Sequence, residues 1–319
     1  MEYMSYHILH ITKQGSYISI DKGLLFCEIK ATGECYKIAI DDVKAVIVCT
    51  PVVSFSNNAI ATLLKNDVVI QHCDRNFQPI GWSTPLARIV KTKVFNNQIK
   101  QNEKFETELW KKIVKQKALN QAKVLDLIGC DTHNLYNLIN KPLMNEANIA
   151  KQYWRDYFFY LSEPMKREHK NAQTFENACL NYGYAILKTI IYRSILIHGL
   201  LSNLGIHHKG NFKTTPLVYD LTEPFRAFID YYLYKFSQNY SAEFENEEIQ
   251  EWIKFIPNCL KDYRIKHKDH SYKIVDIIDI YIEEIANSFS NFDCSTIFLP
   301  KIEEQYLYKD THKNREYEE

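Results

Sequence analysis

The chain has 319 residues, and its 39 Lys and Arg side chains balance 39 Asp and Glu, so the formal net charge at pH 7 is zero. With 46% hydrophobic and 13% aromatic residues it can bury a large core, which excludes a disordered chain. The charge balance also excludes a uniformly basic nucleic-acid coat protein, so any polyanion must bind to a local patch. At about 150 residues per domain, the length predicts two domains.

The cysteines and the apolar segments indicate the cellular compartment of the protein. Eight cysteines occur without any Cys-x-x-Cys pair, which excludes a zinc knuckle and a thioredoxin-like motif and favours a reduced, cytoplasmic chain. The first residues show no charged segment followed by an apolar one, so we expect no signal peptide. The most apolar stretch, 184–201, contains Lys188, Arg193 and His198 and is too polar to span a membrane. We therefore expect a soluble, intracellular protein with no membrane partner.

The N-terminal quarter of the chain has the pattern of a β-rich domain. Short apolar runs rich in Ile, Val and Tyr alternate with glycine-containing turns from residue 6 onward. This pattern predicts a β-rich, sandwich-like domain over residues 1–85. We expect one helical insertion at 57–65, with Ser56 or Asn57 as its N-cap, packed across the end of a sheet.

The remainder of the chain has helical periodicity. Apolar residues recur three and four positions apart, which predicts an all-α domain over residues 86–290 and an α+β fold class for the whole chain. The last residues, 291–319, are more polar, and we expect them to form a C-terminal tail. The predicted helices span 86–101, 103–127, 146–161, 174–204, 223–236 and 247–263.

Positive charge is concentrated in two places. Between Arg88 and Lys123, ten Lys and Arg side chains are accompanied by only three glutamates. This pattern is typical of either a basic strip along a helix or an ordinary solvated helix face. A second cluster precedes a predicted helix and could hold phosphate groups: Lys166, Arg167, His169 and Lys170.

Three segments place carboxylates and imidazoles where core packing does not require them. Glu146 opens a predicted helix, where it either complements the helix dipole or ligates a metal. His207 and His208 are adjacent in a loop, which suits ligand binding or proton transfer, although such residues are also often merely exposed. Asp220 and Glu223 lie three residues apart, either on one helix face or in a capping box. Such an oxygen-dominated donor set favours Mg²⁺ or Mn²⁺ over zinc.

In this order and spacing, the motifs resemble those of the CRISPR-associated spacer-acquisition integrases, with most similarity to the enzymes of type II systems. The match extends over nearly the whole chain and includes IDDVKAVIV and VVIQHCD…PIGW near the N-terminus. The Asp-Leu-x-Glu-Pro-Phe-Arg ending is highly specific. The motif segments are 146–154, 177–184, 205–208 and 219–226.

The resemblance assigns roles to individual residues. It implies that Glu146, His208 and Glu223 are catalytic and together bind Mg²⁺ or Mn²⁺. The family's histidine is the fourth residue of a Gly-x-x-His element, so the resemblance selects His208 rather than His207. The further motif positions are a supporting acid and two structural residues: Asp220, Arg226 and Asn177.

The resemblance also implies a function in antiviral defence. The family inserts captured foreign DNA as new spacers at the leader end of a CRISPR array, by attack of a 3′-hydroxyl on a phosphodiester. We expect residues 1–85 to serve dimerisation and DNA contacts and 86–290 to be catalytic. The expected partners are double-stranded DNA (captured fragment and CRISPR repeat), a second copy of the chain, a small companion adaptation protein and the type II effector nuclease.

Two alternative functions stay open at this point. One is a metal-dependent nuclease that acts on branched or single-stranded DNA without integration. The other is a non-enzymatic DNA-binding scaffold whose carboxylates only cap helices.

Overall fold

A computed structural model describes residues 7–75, 79–86, 91–169, 172–209, 214–238 and 246–303. The strands in these ranges are β1 (His7–Ile11), β2 (Ser16–Asp21), β3 (Leu24–Ile29), β4 (Glu34–Ala39), β5 (Val43–Val48), β6 (Val53–Phe55), β7 (Val69–Cys73), β8 (Pro79–Ser83), β9 (Arg264–His267) and β10 (His270–Lys273). The helices are α1 (Asn57–Lys65), α2 (Thr92–Lys100), α3 (Glu103–Leu127), α4 (His133–Ile139), α5 (Glu146–Leu161), α6 (Phe175–Ile197), α7 (Pro216–Thr222), α8 (Arg226–Ser237), α9 (Asn246–Asp262) and α10 (Ile274–Asn291).

Two four-stranded sheets form the N-terminal part. One has the order β1-β5-β7-β8, with β8 antiparallel to β7 and the other pairs parallel. The second has the order β4-β3-β2-β6, in which only the β2–β6 pair is parallel. Both sheets contribute to one apolar cluster, which includes Ile11, Val46 and Ile70 from the first and Ile18 and Leu25 from the second. The predicted β-rich, sandwich-like start is confirmed.

Helix α1 covers this apolar cluster, as the sequence predicts. The Ser56 side chain accepts a hydrogen bond from the backbone N–H of Ala59 at 3.1 Å and so caps the helix. Ala59 and Leu63 are fully buried in the cluster. The helix therefore has the bounds, the cap and the packing role expected.

Helix α6 lies at the centre of the helical part. It packs against α7, α8, α9 and α10, and also against β5 and β7 of the first sheet. Thr189 on this helix bonds Gln71 of β7 and accepts a hydrogen bond from Trp82 of β8. The sheet and the helices consequently share one large apolar core, to which Ile47 also belongs.

The helical part agrees with the predicted fold class and contains elements that the sequence analysis did not anticipate. Helices α3 and α5 have the predicted bounds, whereas the helix expected to reach residue 204 ends at Ile197, before Gly199, which has a positive φ of 72°. Helices α4, α7 and α10 and the antiparallel β9–β10 hairpin were not predicted, and the helix predicted at 223–236 begins at Arg226.

The predicted C-terminal tail begins with packed residues. The backbone N–H of Ile302 and the carbonyl of Pro300 both bond the buried side chain of Asn120 on α3. Cys294 and Ile302 are buried as well. Residues 304–319 lie outside the described ranges, and the domain limits near residues 85 and 291 stay predictions.

In the described ranges, no helix combines the length and the apolar character needed to cross a bilayer. All eight cysteines are free thiols.

The contact between α6 and α8 depends on Gly183. A Cβ added there would lie 2.4 Å from Cγ2 of Ile229. Gly183→Ala should therefore lower the free energy of unfolding in urea by about 1–3 kcal/mol, because overpacking displaces one helix from the other. In an Ile229→Leu background, which removes the branch at Cβ, the same change should cost much less. Equal losses in the two backgrounds would contradict this packing.

Candidate active site

Two of the three predicted site residues meet at one ammonium group. Glu146 is the first residue of α5, and Glu223 begins a 3-10 turn that follows α7. The Nζ of Lys117 on α3 lies 2.9 Å from Oε1 of Glu146 and 2.6 Å from Oε2 of Glu223. The two carboxylate oxygens are therefore separated by no more than the sum of those distances. Packing of α3 against both other elements brings these residues together.

Glu223 is a buried anion. Burial by itself raises the pKa of its carboxyl, but the charges of Arg226 and Lys117 outweigh that effect and lower the pKa to about 2. Arg226 donates a hydrogen bond to Oε1 at 3.0 Å. Oε2 receives no hydrogen bond of good geometry from the described residues, only the nearby charge of Lys117. Among those residues, this oxygen is therefore held only by the charge of one lysine.

Asp220 orients His208. The Asp220 carboxylate is fully buried, and its Oδ2 accepts hydrogen bonds from the backbone N–H groups of Ile206 and His207 at 2.7 and 2.9 Å. Its Oδ1 bonds Nδ1 of His208. Because a carboxylate accepts, Nδ1 must donate, which leaves the lone pair of the neutral ring on Nε2. His208 is thus held in the orientation and tautomer of a metal ligand or proton acceptor.

The loop before α7 requires glycine at position 205. A Cβ there would lie 2.4 Å from the backbone carbonyl of His208 and 3.0 Å from Oδ2 of Asp220. The neighbouring His207 makes a different contact, because its exposed ring stacks on Trp110 with the centroids 4.3 Å apart. Of the two adjacent histidines, only His208 is bonded to Asp220 through its ring.

The interpretation of Asp220 and Glu223 as a capping box is wrong. Helix α7 begins at Pro216, so Asp220 lies inside the helix and bonds the preceding loop rather than its own first turn. At α5, the N-cap is Asn145, whose side chain accepts a hydrogen bond from the backbone N–H of Asn148. Capping therefore does not use the carboxylate of Glu146.

The donor set fits a hard divalent cation. Two carboxylates converge on one cationic group, and an imidazole with a free Nε2 lone pair is held by Asp220, three residues before Glu223. Within the described ranges, however, no three His, Cys, Asp or Glu side chains are gathered closely enough to hold a metal ion. The ammonium group of Lys117 lies between the two carboxylates instead.

A second buried carboxylate, that of Asp230, stabilises the position of Arg226 at the site. Asp230 on α8 accepts hydrogen bonds from the hydroxyls of Tyr153, at 2.6 Å, and Tyr184. The ring of Tyr184 lies 4.4 Å from the guanidinium of Arg226, which in turn bonds Glu223. Burial raises the pKa of Asp230 to about 6, although the tyrosine hydrogen bonds and Arg226 oppose that rise. This network fixes the position of Arg226.

The second basic cluster is in part structural. Arg167 donates to the side-chain carbonyl of Asn177 at 2.9 Å, and the fully buried Asn177 donates to the backbone carbonyl of Lys166 at 2.9 Å. Arg167 is therefore engaged in holding its segment on α6, and a contact of this residue with phosphate stays a prediction. Lys166 and His169 are exposed, and Lys170 lies outside the described residues.

The first basic cluster has more than one role. Lys104 and Lys111 on α3 are exposed. Lys112 donates to a backbone carbonyl of the C-terminal segment at 2.6 Å, and Lys117 faces the two site glutamates. Arg88 lies outside the described residues. The exposed lysines fit both a basic strip and an ordinary solvated helix face, whereas Lys112 and Lys117 make structural contacts that neither interpretation predicts.

Sequence analysis missed Lys117 and Asp230 as site residues. Lys117 was counted only as one of many basic residues, but it follows the buried Ile113 by four positions and precedes the buried Ala118. A lysine on the apolar face of a helix requires a buried counter-charge, and that was the available signal. Asp230 similarly interrupts an apolar run in α8, next to the buried Ile229.

Comparisons with known proteins find a matching family model and curated relatives. The family model of the CRISPR-associated protein Cas1 matches residues 9–254. The chain is 28% identical over 228 residues to the CRISPR-associated endonuclease Cas1 of Neisseria meningitidis serogroup C (strain 8013), covering 69% of this chain and 72% of that protein.

Solved structures show the same fold. A casposase bound to an integration product superposes with a TM-score of 0.76 at 17% identity, covering 92% of this chain and 94% of that chain. A chain of a Cas6-RT-Cas1–Cas2 complex superposes with a TM-score of 0.74 at 17% identity, covering 94% of this chain and 36% of that chain. The predicted α+β class, with a β-rich start followed by helices, is confirmed by these neighbours.

The raised pKa of Asp230 has a measurable consequence. Its folded pKa of about 6 lies above the ordinary value of 3.8, so the folded state binds the extra proton. The stability that this proton confers is fully present below pH 3.8 and is lost as pH rises to 6. The free energy of unfolding of wild type relative to Asp230→Asn should therefore fall by up to about 3 kcal/mol between pH 4 and 7. Parallel pH profiles of the two proteins in chemical denaturation would contradict this.

Proposed function

The chain belongs to the Cas1 family of CRISPR-associated proteins, and we propose that it is a metal-dependent DNA endonuclease and integrase. It inserts captured DNA fragments as new spacers at the leader end of a CRISPR array. The observation that carries this proposal is the convergence of Glu146 and Glu223 on one cation, together with a His208 ring whose orientation is held by Asp220. The endonuclease name of the curated relative and the integration product in the casposase structure support it.

Glu146, His208 and Glu223 are the residues that would hold Mg²⁺ or Mn²⁺. A bound ion would lower the pKa of the attacking hydroxyl and neutralise charge that develops on the phosphate. Glu223 is already ionised at neutral pH, because its pKa is about 2. Asp220 keeps Nδ1 of His208 engaged, so Nε2 is the atom that binds or accepts a proton.

The reaction is a transesterification. The 3′-hydroxyl of the captured fragment attacks a phosphodiester at the edge of the repeat, a new P–O bond forms, and a DNA 3′-hydroxyl leaves. The protein forms no covalent bond, so its residues act by positioning and by charge stabilisation. Arg226 holds Oε1 of Glu223, which keeps the other carboxylate oxygen directed toward Glu146 and Lys117.

The proposed partners follow the family. They are double-stranded DNA, a second copy of the chain, a small companion of the Cas2 type and the type II effector nuclease. The companion is supported by the Cas6-RT-Cas1–Cas2 complex among the structural neighbours. We propose that residues 1–85 serve dimerisation and DNA contacts. The eight free cysteines favour work in the reducing cytoplasm.

The first test is strand transfer. Glu223→Gln and His208→Ala should each reduce joining of a 3′-hydroxyl DNA end to a repeat-containing duplex by about 100-fold or more, because each removes a metal donor. The assay contains Mn²⁺ or Mg²⁺ and the companion protein, and products are separated on a sequencing gel. Glu251→Gln on α9, a carboxylate-to-amide change at a partly exposed position, is the matched control and should join normally.

The products of that assay also separate the alternatives. A nuclease without integrase activity yields only shortened strands, whereas with a non-enzymatic scaffold the complex functions normally even after all three site residues are replaced. Wild-type joining by Glu223→Gln or His208→Ala would refute the site assignment.

A second test concerns the exposed face of α3. The double variant Lys104→Gln, Lys111→Gln should bind duplex DNA more weakly, and the slope of log K against log salt should decrease in magnitude by about 1.8 if both lysines contact phosphates. Fluorescence anisotropy at several salt concentrations measures this. Lys65→Gln together with Lys235→Gln, which removes equal charge from α1 and α8, is the control. An unchanged salt slope in the α3 variant would place the DNA elsewhere.

A further inference from the structure

Lys117 lies where a cation must bind if Glu146 and Glu223 are to share it. We infer that its ammonium group is a built-in competitor of the metal ion, which stabilises the metal-free site and is displaced when the metal binds. This inference rests on the proposed metal site and adds to it a residue that acts against metal affinity.

The contacts of Lys117 are those of an internal counter-ion. Its Nζ lies 2.9 Å from Glu146 and 2.6 Å from Glu223, and its side chain is only 12% exposed. The Glu223 side chain is 10% exposed, so water screens this pair poorly. Two carboxylates at this separation repel each other unless a cation lies between them. Lys117 supplies a cation between Glu146 and Glu223.

Lys117 and Arg226 differ in which oxygen of Glu223 they use. Arg226 bonds Oε1 and is stacked on Tyr184, so its position is fixed from the protein interior. Lys117 contacts Oε2, the oxygen on the side of Glu146. A metal ion shared by the two glutamates requires the oxygens that Lys117 contacts and leaves the one that Arg226 uses. Arg226 can therefore stay in place, whereas the ammonium must move.

The side chain of Lys117 is suited to such a displacement. An ammonium on a four-carbon stem is a point charge with no fixed bidentate geometry, so its contacts can be exchanged one at a time. The Glu146 side chain is 40% exposed, which leaves a route from the site to solvent. The ammonium of Lys117 can therefore leave the two carboxylates while its backbone stays in place on α3.

If Lys117 only supported the site, its removal would change the metal affinity in the opposite direction. If the lysine only oriented the two glutamates for the metal, its removal would weaken metal binding. If it competes with the metal, its removal strengthens binding while the metal-free protein becomes less stable. Metal affinity therefore distinguishes the two roles without any measurement of DNA joining.

The test is Mn²⁺ binding by isothermal titration calorimetry on the full chain. Lys117→Gln should bind Mn²⁺ about tenfold or more tightly than wild type, because a charge that competes for the same oxygens is gone. Its melting temperature should be lower without metal and should rise more when Mn²⁺ is added. Lys115→Gln, an equal charge change at an exposed position on the same helix, should match wild type. Unchanged or weaker binding by Lys117→Gln would overturn the inference.

A measurement on wild type covers the case in which Lys117→Gln does not fold. Amine labelling of Lys117, followed by mass spectrometry, should increase when Mn²⁺ is added, while labelling of Lys115 stays constant. No increase at Lys117 would overturn the displacement.

Mn²⁺ binding by Glu223→Gln distinguishes a wrong metal site from a correct metal site at which Lys117 does not compete. If Mn²⁺ binds wild type but not Glu223→Gln, the proposed metal site holds, and the affinity of Lys117→Gln alone decides the competition. If wild type and Glu223→Gln bind Mn²⁺ equally, or neither binds it, the proposed metal site is wrong and the inference is overturned with it.

Discussion

The need to compensate a buried carboxylate governs the arrangement of the whole site. Glu223 can stay ionised away from water only because Arg226 and Lys117 supply opposite charge, and those cations hold its pKa near 2. Arg226 is itself placed by the ring of Tyr184, whose hydroxyl bonds Asp230. The positions of the reactive carboxylate and of the helices that carry it are therefore set by one continuous chain of charges and hydrogen bonds.

The same requirement explains the loop that carries the histidine. Among the described residues, no lysine or arginine pairs with the buried Asp220, which is satisfied instead by backbone N–H groups and the His208 ring. Because the loop must approach this carboxylate closely, position 205 has no room for a side chain. Backbone and imidazole are thus oriented together, which leaves the second ring nitrogen for chemistry.

Zero net charge describes an average over unlike surfaces. Along α3 alone, Lys104 and Lys111 face solvent, whereas Lys117 compensates two glutamates inside the protein. The proposed function, which uses DNA and a metal ion, needs both signs of charge, with carboxylates for the cation and lysines for the phosphate backbone. Overall charge therefore carries little information on DNA binding, because the local patches decide it.

The sequence by itself determined the fold class, the cap of α1, the limits of α3 and α5, and the candidate residues Glu146, His208 and Glu223. The structural features depend on local periodicity and turn residues, whereas the choice of the three site residues depends on the resemblance of their motifs to a known family. Only the tertiary structure decided that Lys117 joins Glu146 to Glu223, that Asp220 bonds His208 instead of capping a helix, and that Arg167 is structural. These outcomes depend on which helices pack together. The residue spacing within α3 does not show which side chains of other elements Lys117 contacts.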